Sequence, residues 1–85
     1  MTFKKQYLWD GHHYNVRSVP NHHSETQRYE IRGAVDQAVV GYVTWDLEYI
    51  ISYDAINQYQ GVSIHENWVD SFDEAILWGI GELVY

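Results

Sequence analysis

An α+β fold is predicted for this chain: one domain over residues 1–85, built as a four- or five-stranded, mainly antiparallel sheet with a C-terminal helix packed on one face. Three observations predict it. Short runs between residues 12 and 69 alternate apolar and polar side chains with the period of a strand. Asp10-Gly11, Pro20-Asn21 and Gly33 punctuate those runs as turn signals. After residue 70 the period becomes helical, opening on the capping-box sequence Ser71-Phe72-Asp73-Glu74. A smaller sheet with an added N-terminal helix is the alternative, because residues 1–10 fit either element.

That first segment sets Lys4 and Lys5 beside Phe3, Tyr7, Leu8 and Trp9, too short a run for periodicity to decide. Beyond Asp10-Gly11, residues 12–19 alternate Tyr14, Val16 and Ser18 with Asn15, Arg17 and Val19. Pro20, which has no amide hydrogen for a ladder, ends this strand. Residues 22–26 read as a polar loop. Gln27 to Arg32 form the next strand, with Tyr29 and Ile31 on one face and Arg28, Glu30 and Arg32 on the other. Ala38 to Trp45 give the strongest strand signal, β-branched or aromatic almost throughout, and Gly41 within it predicts a bulge or a close approach. Asp46-Leu47-Glu48 makes a tight connection to a hairpin partner at residues 49–53. A looser connection over residues 54–61 leads to a last strand from Val62, whose mixed faces suit an edge.

In the helix, Ser71 can accept a hydrogen bond from the Glu74 amide while the Glu74 carboxylate reaches back. Asp70, Asp73 and Glu74 put negative charge at the positive end of the helix dipole. At 100° per residue, Phe72, Ala75, Ile76, Gly79, Ile80 and Leu83 form one apolar stripe, with Leu77 and Trp78 off it on opposite flanks.

The composition is 46 % apolar, which supports a packed core, and 16 % aromatic, with eight Tyr, four Trp and two Phe. A core of this size does not hold fourteen rings, so some are expected at the surface, where Tyr and Trp suit interfaces. There is no cysteine, hence no disulfide framework and no thiolate metal site. No apolar run approaches the ~20 residues of a membrane span, and residues 1–10 lack the apolar region of a signal peptide. A cytoplasmic protein without membrane association is expected.

Charge is segregated along the chain. All five basic side chains, Lys4, Lys5, Arg17, Arg28 and Arg32, lie in residues 1–32, whereas residues 33–85 carry nine acids and no lysine or arginine. The balance is +2 for the first part and −9 for the second, giving the −7 of the whole. Such a field repels nucleic acid and attracts basic partners.

No catalytic constellation accompanies it. Arg17 and His22 have the spacing of one class of helical ribonucleases, but Pro20 denies the helix. Ser63, His65 and Asp70 lack a nucleophile elbow, and the six glycines form no phosphate-cradling loop. His12-His13 and His22-His23 match no zinc motif, and neighbours on a strand point to opposite faces. No enzyme, cofactor or metal site is expected.

Carboxylates spaced over a folded surface can stand in for backbone phosphates. In size, charge and aromatic content the chain resembles small acidic accessory proteins of phages and mobile elements, including restriction inhibitors and anti-CRISPR proteins that imitate DNA. No motif ties it to one such family. That likeness and the charge pattern imply an inhibitor that occupies the basic nucleic-acid-binding site of a protein partner, without binding nucleic acid itself. The expected surface comprises Asp46, Glu48, Asp54, Asp70, Asp73 and Glu74, with Tyr49, Tyr53, Tyr59, Trp68 and Trp78 as aromatic anchors. The alternative is a non-enzymatic accessory or structural homodimer whose acidic surface serves solubility.

Overall fold

The computed structural model describes residues 4–20, 27–46, 49–54, 61–66 and 71–84, with the backbone alone at 46, 54 and 61–66. Six strands, β1 (Lys4–Trp9), β2 (His12–Val19), β3 (Arg28–Gly33), β4 (Val39–Asp46), β5 (Tyr49–Asp54) and β6 (Gly61–Glu66), precede one helix, α1 (Phe72–Val84). They form a single antiparallel meander in the order β1-β2-β3-β4-β5-β6, so each strand pairs with its neighbours in sequence. The α+β class and the C-terminal helix follow the sequence. The sheet exceeds four or five strands because residues 4–9, which fit a helix equally well, pair along their whole length with β2.

Local chemistry explains the joints. Asp10 and Gly11 both have positive φ (48° and 79°), the geometry of a type I′ turn whose twist matches the flanking strands. Between β3 and β4, the Gly33 amide donates to the Ala38 carbonyl (3.0 Å) and the Asp36 carboxylate accepts from the Ala38 amide (3.0 Å). The ladder then slips between Ile31 and Arg32, which face Gly41 and Val39, so β4 bulges where Gly41 was expected to mark an irregularity. A side chain at Gly41 would strike the Tyr53 carbonyl and Leu83, and the predicted close approach is realised there as well.

One face of the sheet is the core. Tyr7, Val16, Ile31, Val43 and Ile50, one from each of the first five strands, are buried against Ala75, Ile76 and Ile80 of α1. Gly79 faces Val43, and a Cβ there would overlap the valine methyls. The expected stripe of the helix is therefore the packing stripe, but it is wider than six residues. Leu77 and Trp78 are half-buried against the same core rather than outside it, and Gly81 is buried under the Trp9 ring. Trp9 is what extends the contact, reaching over the helix from the edge strand.

The Ser71 hydroxyl accepts from the Glu74 amide (3.2 Å), as the capping sequence requires. Ser71→Ala should cost about 0.5–2 kcal/mol, measured as a shift of the urea midpoint at constant slope. An unchanged midpoint would show that the cap contributes nothing.

Candidate functional site

Strand register places the charged residues more specifically than their order in sequence. In an antiparallel pair, residues directly opposite share a face. On the sheet face turned away from α1, one transverse row runs Lys4–Arg17–Glu30–Tyr42–Tyr53 across β1 to β5. Its left half is cationic and its right half aromatic.

Glu30 is the centre of the cationic half. It is 5 % exposed, and its Oε1 accepts from Arg17 Nε at 3.0 Å and from Arg32 Nε at 2.6 Å. Burial pushes the carboxyl up, but the hydrogen bonds from Arg32 and Arg17, with the charges behind them, outweigh it and hold Glu30 below the ordinary glutamate value. Arg32 Nη1 also donates to the Gln37 carbonyl (3.0 Å), tying the pair to the turn after β3. Lys4, Asn15, Arg17, Glu30, Arg32 and Gln37 thus line a groove of about 380 Å³.

In the aromatic half, the buried Arg28 guanidinium lies over the rings of Tyr42 (4.6 Å) and Tyr53 (4.5 Å). Stacking on two rings suits a weakly hydrated, planar cation. The Tyr53 hydroxyl is 3.4 Å from Thr44 Oγ1. Tyr53, expected as an aromatic anchor, is therefore half-buried in a cluster with Arg28. Tyr49 is the more accessible ring, 49 % exposed at the start of β5.

The acidic candidates are dispersed. Asp73 and Glu74 stand exposed on the first turn of α1. Asp73 accepts from the Tyr7 hydroxyl (2.7 Å) and from Lys5 Nζ (3.1 Å), which bridges β1 to the helix. The tyrosine bond first, then the lysine, holds Asp73 below the ordinary aspartate value. Burial and that same bond push the Tyr7 hydroxyl well above its ordinary value. Residues 33–85 contain no lysine or arginine, and the cation that meets Asp73 is Lys5, 68 positions earlier in the chain. Asp46 and Asp54 end β4 and β5 rather than lying in connections, and their side chains are outside the described set. Glu48, Tyr59, Trp68 and Asp70 also lie outside the described residues, as do His22 and His23. Trp78 is half-buried on the helix.

His12 and His13 are exposed next to the β1–β2 turn. Among the described residues, no three His, Cys, Asp or Glu side chains group as metal ligands. No helix among them is long and apolar enough to cross a membrane.

Sequence reasoning missed the Lys4–Arg17–Glu30–Arg32 cluster as a unit. Its one available signal was the alternation that puts Arg28, Glu30 and Arg32 on one strand face. Only the register brings Lys4 and Arg17 across from them. Compared with known proteins, the chain matches no family model, no curated protein and no solved structure.

Proposed function

We propose that this chain is a non-enzymatic binding protein that sets its acidic half against a basic, nucleic-acid-binding surface of a protein partner and so inhibits it. The observation that carries this reading is the partition of charge: every lysine and arginine lies within β1, β2 or β3, and the chain from β4 through α1 carries none. A surface whose carboxylates outnumber its cations steers a basic partner toward it and turns nucleic acid away. Tyr49, exposed at the start of β5, supplies a ring on that half with little rotamer entropy to lose. An anti-restriction or anti-CRISPR style of action is the form this reading takes.

The test is charge reversal. Asp46→Lys with Glu48→Lys avoids the Lys5–Asp73–Tyr7 bridge and is the cleaner pair. Asp73→Lys with Glu74→Lys breaks that bridge and requires a melting control. Used as bait in a host lysate, the wild type should retain a nucleic-acid-binding protein at low salt and release it steeply as salt rises, while the Asp46/Glu48 variant should retain little. Equal retention by a folded variant would leave the acidic half a solubility device. A homodimeric accessory protein is the second reading, favoured by the half-buried Tyr42, Ile51 and Tyr53 on the sheet face that α1 does not cover. Sedimentation of the free protein separates the two, since an apolar dimer persists in high salt.

A further inference from the structure

We propose that the groove between β1, β2 and β3 on the uncovered sheet face is a binding site for a small oxyanion, with Lys4, Arg17 and Arg32 as its cationic ligands. Its charge runs against the molecule. The chain carries −7, yet the groove lining holds three cations and one carboxylate, Glu30. Lys4 and Arg17 face each other directly in the β1–β2 register, a like-charge pairing that destabilises a sheet unless something negative lies between. Among the described residues no carboxylate pairs with Lys4.

The geometry is that of a prepared receptor. Glu30 holds both arginines through Nε, so its carboxylate fixes the two guanidinium planes without occupying their terminal nitrogens. Arg32 spends Nη1 on the Gln37 carbonyl, and the Arg17 terminal nitrogens and Arg32 Nη2 lie outside these bonds. Planar forks of this kind match phosphate and carboxylate oxygens. Neither arginine is buried: their side chains are 53 % and 35 % exposed, so an anion reaches them from solvent. A volume of about 380 Å³ is in the range of small-molecule sites, sized for a compact phosphate ester or polycarboxylate. The site is in the basic half, so it stands or falls independently of the acidic surface proposed above.

The experiment is a titration of backbone amide NMR shifts with inorganic phosphate and, separately, with citrate, each against sodium chloride at matched ionic strength. Saturable shifts confined to residues 4–5, 15–17, 30–32 and 37 are expected with at least one of the two. Phosphate binding more tightly assigns the site to phosphate esters, and citrate binding more tightly assigns it to carboxylates. Arg17→Gln should weaken the tighter anion by about tenfold or more. Lys4→Gln, which leaves the Glu30 bonds untouched, should weaken it severalfold while the free protein melts no lower than the wild type. Shifts no larger or more localised than those with chloride would overturn the proposal, as would wild-type affinity in both variants.

Discussion

Gly79→Leu is expected to destabilise the domain by about 3 kcal/mol, at the upper end of what overpacking costs. Gly79 is buried where α1 crosses β4, and even a Cβ would overlap a methyl of Val43. Leucine extends a Cβ that already overlaps Val43, so either the helix lifts or the strand bends. A domain of this size is stable by roughly 4–13 kcal/mol at the usual stability per residue, so the loss is a large share of the total. Gly79→Ala is the finer probe. Alanine gains up to about 1 kcal/mol of helix propensity over glycine, which partly offsets the clash. Combining it with Val43→Ala removes the methyl that is struck, so the pair should be less destabilised than the single effects added together. Urea midpoints for the four proteins decide it, and strict additivity would mean that Gly79 and Val43 do not meet.

The second large effect belongs to Glu30. Glu30→Gln keeps the shape and removes the charge that two arginines share, at a position 5 % exposed. A loss of about 2 kcal/mol at neutral pH is expected, within the range for hydrogen bonds to charged groups. Its pH dependence has a definite sign. The folded carboxyl titrates below its unfolded value of about 4.3, so its contribution is complete above that value and is lost as pH falls through the lowered folded value. The gap between wild type and Glu30→Gln should therefore close in acid. A gap that stayed constant from neutral pH down to acid far below the ordinary glutamate value would show that the loss comes from packing and not from the ion pairs.

Much of the architecture was legible because local signals agreed. The cap at Ser71 and the apolar spacing set both ends of α1, Asp10-Gly11 set the first hairpin, and Gly41 marked both the bulge and the contact with Leu83. What escaped was information carried only by register and tertiary contact. Nothing near Lys5 in the chain announces Asp73, and nothing near Gly81 announces Trp9. The helical projection put Trp78 off the core stripe, but a projection does not show that the packing reaches past the stripe to Leu77 and Trp78. The groove was hidden for a related reason: four charges scattered through the sequence become a cluster only once β1, β2 and β3 are aligned.

The order of the meander also governs how the molecule comes into being. Every strand pairs with the one made just before it, so hairpins can form as the chain emerges from the ribosome, each closing a short loop. The sheet's inner face is different. Tyr7, Val16, Ile31, Val43 and Ile50 stay wet until α1, the last element, has been synthesised. When it docks, Tyr7 and Lys5 near the beginning meet Asp73 near the end, joining residues 66 and 68 positions apart. A nascent chain halted before α1 is thus a half-built sheet with its oily side showing, a natural client for chaperones and proteases.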